Sequence, residues 1–157
     1  MSYKNFKEAL ELAKELPDYM CFDNCSDKAM DELEDYLGFE LSKQHYEFLR
    51  NGSLGVYCYD FIGCYEGMLD CSGDVKSCME LDKKHGFKLD EKYVPFSEED
   101  EWTVYLNYNK LTKDGEPTVV YAFPSPDEFI IFEQTNQDLG DFLLELFNEI
   151  KEELIQK

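Results

Sequence analysis

Leu37–Gly55 reads LGFELSKQHYEFLRNGSLG. A helical pattern runs into this stretch and stops at Gly38; the chain turns, restarts behind Ser42, and stops again at Asn51-Gly52. Glycine takes the left-handed position that ends a helix without steric cost, and Asn-Gly suits the same exit. The Ser42 hydroxyl is placed to accept a bond from a first-turn N–H, which makes it a cap. In the link, Phe39 and Leu41 are apolar with only Glu40 between them, so the link is expected to be pinned into a core. His45, Tyr46, Phe48 and Leu49 cover one to two sides of the short second helix. The stretch therefore predicts an αα-corner whose apolar faces are too small to stand alone.

Upstream, Ala29, Met30, Leu33, Tyr36 and Leu37 form a helical stripe, with Asp31, Glu32, Glu34 and Asp35 on the other side and Ser26 as N-cap. A first helix is predicted over Tyr3–Leu16, ended by Pro17, with a polar connection, DYMCFDNCSD, between the two.

Downstream, a sheet is expected to cover the corner. Gly55–Gly63, GVYCYDFIG, is rich in β-formers and bounded by glycines, and it predicts one strand with Tyr57 and Tyr59 on the same side. A helical or mobile crossover follows, with Gly86 as its stop. KYVPF is a short strand, and Trp102–Tyr108 alternates with Trp102, Val104, Leu106 and Tyr108 on one face. Asp114-Gly115 is a hairpin turn into Thr118–Phe123, and Glu128–Phe132 is a further strand. Leu139, Phe142, Leu143, Leu146, Phe147, Ile150 and Leu154 make the C-terminal helix. Helices, then antiparallel strands, then a helix predict an α+β fold. Its antiparallel or mixed sheet carries the helices on one side, in a single domain over residues 1–157.

Charge bounds the function. Fifteen Lys and Arg stand against 35 Asp and Glu, a formal net charge of −20. Such a chain releases no counterions from phosphates, and Arg50 is its sole arginine, so nucleic acid is excluded as a partner. A basic protein is the natural complement. The N-terminus has no apolar signal segment, and no run approaches the roughly 20 apolar residues of a membrane span, so the cytoplasm is the expected compartment. There Cys21, Cys25, Cys58, Cys64, Cys71 and Cys78 pack as reduced thiols; none pair as C-x-x-C, and neither His45 nor His85 completes a zinc spacing.

The sequence holds no nucleophile elbow, P-loop or H-E-x-x-H. Carboxylates are so frequent that acid pairs arise by chance. DNCSD lacks the glycine and distal glutamate of a calcium loop. His45 reads as a packed structural residue and His85 as a charge partner of a helix C-terminus. No catalytic residue, metal or cofactor is expected. What is left is surface: SEEDEW sets Glu98, Glu99, Asp100 and Glu101 beside Trp102, the sole tryptophan. Against the plain reading of a solvated loop stands that of a partner contact, an aromatic anchor with charges that steer a cationic protein.

The run LEDYLGFELSKQHYEFLRNGSLG resembles the signature of the SUKH superfamily, the SMI/KNR-type immunity proteins. In that signature a helix ends in Leu-Gly, a short Leu-Pro link follows, a second helix carries an aromatic and a Phe-Leu pair, and Asn-Gly leads to a strand. Leu37, Gly38, Leu41, Tyr46, Phe48, Leu49, Asn51 and Gly52 match it, while Ser42 stands where proline is usual. The similarity spans roughly residues 26–150, including VPF, DGEPTVVY and DLGDFLLELF; Cys64–Leu89 has no counterpart. The resemblance implies an α+β fold without enzymatic activity. It also implies an immunity protein that binds and neutralises a polymorphic or contact-delivered toxin, often a basic nuclease or nucleic-acid deaminase. An intracellular scaffold or regulatory binding module of the same type is the alternative it leaves.

Overall fold

The computed structural model describes residues 2–21, 26–50, 54–56, 59–62, 75–87, 90–98, 102–128 and 130–156. Along the chain run α1 (Ser2–Ala13), β1 (Met20–Cys21), α2 (Asp27–Leu37), α3 (Lys43–Arg50), β2 (Leu54–Val56) and β3 (Tyr59–Asp60). Then follow α4 (Val75–Lys84), β4 (Tyr93–Glu98), β5 (Thr103–Leu111), β6 (Pro117–Phe123), β7 (Ile130–Gln134) and α5 (Leu139–Ile155). The strands make a four-stranded antiparallel meander, β4-β5-β6-β7, and a small sheet, β1-β2-β3. A bridge from Phe61 to Ser97 and the Ile62 N–H on the Phe96 carbonyl, 2.8 Å, join the two. The fold is α+β, as expected.

The corner forms as its residues dictate. The Ser26 hydroxyl caps α2 by accepting from the Ala29 N–H at 3.1 Å. Gly38 sits at φ +83°, where a side chain is strained, and its N–H closes on the Glu34 carbonyl at 2.9 Å. The Glu34 carboxylate takes the Leu41 N–H at 2.7 Å and so ties the link to α2. The Ser42 hydroxyl accepts from the His45 N–H at 3.3 Å, replacing as a cap what a rigid proline would do. Leu41 is buried, and Phe39 packs on the Tyr108 ring at 4.7 Å.

The corner also clasps two distant elements. Gln44 is 1% exposed, and its side chain donates to Asp138 at 3.3 Å and accepts from the Gly140 N–H at 2.8 Å. Its backbone N–H reaches the Glu116 carboxylate at 3.4 Å. Asp138 is the N-cap of α5, and Glu116 leaves the hairpin that Gly115 turns at φ +82°. The first turn of α3 is thereby locked to the β5–β6 hairpin and to the start of α5. Buried amides justify their desolvation only when satisfied on several atoms at once, which this one is.

Helices and sheets share one main core. Phe6 and Ala9 of α1, Phe48 of α3, Phe96 of β4, Leu106 of β5 and Phe147 of α5 are all at most 2% exposed. On the opposite face of the meander, Tyr93, Tyr105, Val120 and Ala122 form a second, smaller cluster.

His45 lies inside this packing, 0% exposed. The Tyr108 hydroxyl accepts from the Ser42 N–H at 3.2 Å and shares a hydrogen bond of 2.8 Å with His45 Nδ1. His45 Nε2 is buried without a hydrogen-bond partner among the described residues. Burial lowers the His45 pKa from 6.5 to about 3. Between those values the unfolded chain binds a proton that the native chain refuses, so His45 withdraws stability as pH falls, by roughly 1.4 kcal/mol per unit. Burial raises Asp82, to about 6, and Glu116, and both act in the opposite direction. A comparison with His45→Gln cancels them. Urea midpoints should show the variant gaining on the native protein with each unit below pH 6.5, whereas parallel curves would refute the buried neutral ring.

Three expectations need correcting. Gly55–Gly63 is not one strand: β2 and β3 pair antiparallel, with Val56 opposite Tyr59. Val56 and the adjacent Phe61 and Ile62 are all buried, which one straight strand of period two does not allow. The polar connection before α2 contains β1, whose Met20 pairs with Gly55. Regular α1 stops at Ala13, and tight bonds to the third residue back carry the chain through Leu16, itself buried, to Pro17. Asn51, Gly52, Tyr57 and Gly63 lie outside the described residues. Of the cysteines, Cys78 is a buried thiol; the side chains of the other five lie outside the described residues.

Candidate functional site

Side chains alternate across β5 and β6. Val104, Leu106 and Val119 turn into the main core, and Tyr105, Val120 and Ala122 turn away from it. The same alternation brings Trp102, just ahead of β5, and Tyr121 and Phe123 of β6 to the helix-facing side, where burial is incomplete. β7 joins them through a bulge. Tyr121 pairs with Glu133 and Ala122 with Ile131, which leaves Phe132 as the extra residue. Its ring lies 5.7 Å from Trp102, 5.8 Å from Tyr121 and 4.9 Å from Phe123. Phe132 is 46% exposed, and the other three are half-buried.

Carboxylates border this aromatic platform. Glu133 follows Phe132, and Glu145 and Glu149 stand one turn apart on α5. With Tyr121, Phe142 and Leu146 they line a cavity of about 140 Å³ whose lining among the described residues includes no Lys or Arg. Burial, and then the three carboxylates, push the Tyr121 hydroxyl up to about 12. Gln137 donates to Glu145 at the rim. An apolar aromatic surface beside fixed negative charge takes a Lys or Arg with its stem on the rings and its head on the acids. Among the described residues no three His, Cys, Asp or Glu side chains converge as metal ligands, and no helix is long and apolar enough to cross a membrane.

The structure divides the expected contact. Glu98 is the last residue of β4 and pairs with Thr103, which places it on the Tyr105 face; Trp102 is on the other. Burial raises the Glu98 carboxyl, against a hydrogen bond from the Cys78 thiol, and its charge helps raise Asp82 of α4. Trp102 instead joins Phe132. Glu99, Asp100 and Glu101 lie outside the described residues. Of the corner motif, Leu41, Phe48 and Leu49 are buried, Leu37 and Tyr46 half-buried, and Gly38 makes the turn, so these residues build the scaffold. A second acidic surface, Asp31, Glu34, Asp35 and Glu40, opens as a hollow of about 580 Å³ beside Gly38 and Phe39. Glu34 is already committed there to the Leu41 N–H. Arg50 is paired with Asp27 at 2.9 Å.

Sequence reading missed Tyr121, Phe132, Glu133, Glu145 and Glu149. The one local signal is that Glu145 and Glu149 flank the apolar Leu146 at helical spacing. Their convergence with Phe132 depends on a bulge that no local pattern announces.

The family model described as SMI1 / KNR4 family (SUKH-1) matches residues 24–145, from just before α2 into the first turns of α5. No curated protein matches the chain.

Proposed function

The chain belongs to the SMI1/KNR4 family (SUKH-1), and on that basis we propose that it is a bacterial immunity protein that neutralises a cognate basic toxin domain, of nuclease type, by binding it in the cytoplasm. The family is generally one of non-enzymatic immunity proteins that act through protein–protein contact. The observation that carries the reading is the platform of Trp102, Tyr121, Phe123 and Phe132 beside Glu133, Glu145 and Glu149. Buried aromatics supply most of the energy of a typical interface, and acids beside them select a cationic partner. A nuclease channel is lined with Lys and Arg for phosphates. Carboxylates occupy those cations and the rings seal the channel mouth, so inhibition is stoichiometric and needs no chemistry.

Co-expression with the C-terminal domain of the adjacent upstream gene product tests this. Growth should be rescued, with a 1:1 complex recovered; a harmless neighbour, or rescue without a complex, would contradict it. The acids add a kinetic signature. Charge reversal of Glu133, Glu145 and Glu149 to Lys should slow association at least tenfold at low salt and leave dissociation nearly unchanged. The difference should close at about 0.5 M salt, where exposed charges are screened within a few ångströms. Stopped-flow rates that ignore both charge and salt would remove the steering role.

A further inference from the structure

β7 is the outer strand of the meander: it pairs with β6 on one side, and no other described strand pairs with it. β4, at the opposite end, is closed off by the bridge from Phe61 to Ser97 and by the Ile62 N–H on Phe96. Every residue of β7 is exposed, including Ile130 at 44%, Ile131 at 41% and Phe132 at 46%. Sheet edges are ordinarily guarded by lysine, proline, a covering loop or a bulge. Ile130–Gln134 contains no lysine or proline, and the bulge at Phe132 is its one guard among the described residues. An edge this apolar is a template for a further strand.

The charge names what fits. A second copy of this chain would bring another −20 to the contact. Glu133 lies within the strand, and Asp127 and Glu128 lie just ahead of it. We propose that β7 receives an extended, cationic segment of the partner as an added strand, with Lys or Arg on one side of the segment and β-branched residues on the other. Five residues at about 3.4 Å each match the length of β7. The pleat puts the cationic side chains on the face of Phe132 and Glu133, and the apolar ones on the face of Ile131, which stands opposite Ala122. Backbone hydrogen bonds give affinity and the carboxylates give the sign of charge. This rests on the binding role proposed above and assigns it a geometry: strand addition at the edge, not docking on the aromatic face alone.

The test uses the full chain and a blocked Lys-Val-Lys-Val-Lys-Val-Lys peptide, alongside the same peptide N-methylated at alternate amides on its strand-forming edge. Amide exchange of residues 130–134 should slow at least about threefold at saturating peptide. N-methylation should weaken binding about tenfold or more, and Ile131→Lys should do the same while Leu81→Lys, exposed on α4, should not. Equal affinity of the methylated peptide, with a response at Trp102 and none in β7 exchange, would overturn strand addition and leave a face-binding immunity role standing. A protein that dimerises through β7 in sedimentation, with dimerisation lost in Ile131→Lys, would overturn it in favour of a second copy. Failure of the immunity reading itself would appear separately, as no rescue in co-expression.

Discussion

Phe96→Ala should cost about 3–5 kcal/mol of unfolding free energy, the range of buried aromatic truncations. Phe96 is 0% exposed, and its ring lies 5.0 Å from Phe48, 5.1 Å from Phe61, 6.3 Å from Phe142 and 6.4 Å from His45. One side chain of β4 thus packs with the corner helix, the residue that follows β3, and α5. Its carbonyl also takes the Ile62 N–H that joins the two sheets. Such a loss is a large part of the roughly 5–15 kcal/mol that holds an ordinary protein folded. Denaturant unfolding at pH 7 reads it directly. A loss below about 1 kcal/mol would mean that the three layers do not depend on this ring.

Trp102→Ala should weaken toxin binding by about 2–4 kcal/mol, thirtyfold to a thousandfold, as expected of a central aromatic anchor. Stability should change less, because Trp102 is half-buried at the edge of the main core and its ring partner Phe132 is itself exposed. Phe132→Ala should reproduce much of the binding loss by removing that support, and the double variant should lose less than the sum. Calorimetric titration with the toxin domain, beside thermal melts of each variant, separates the two effects. Full affinity in a folded Trp102→Ala protein would move the contact elsewhere.

The corner was legible because every device in it is local. A left-handed glycine, a serine cap and an apolar pair around Glu40 each act within a few residues, and Gly38, Ser42 and Leu41 occupy those roles. The alternation of β5 was legible for the same reason, since the pleat assigns Val104 and Leu106 to one face wherever the strand goes. What stayed hidden is long-range. Gln44 reads as a polar surface residue until Asp138 and Gly140, far along the chain, arrive to satisfy it. Adjacency in sequence does not put Glu98 and Trp102 on one face, because Glu98 pairs with Thr103 and Trp102, one residue earlier, faces the other way. The acids that do border the platform come from β7 and α5, which only the folded chain brings together.

Trp102 is the sole tryptophan, so it reports on the proposed contact without interference from elsewhere in the chain. Protein labelled with 5-fluorotryptophan gives one fluorine resonance, to be followed while the unlabelled toxin domain is added. The account predicts a shifted or broadened signal that saturates at one equivalent and recovers when salt is raised. A tight complex that leaves this resonance unmoved would contradict it.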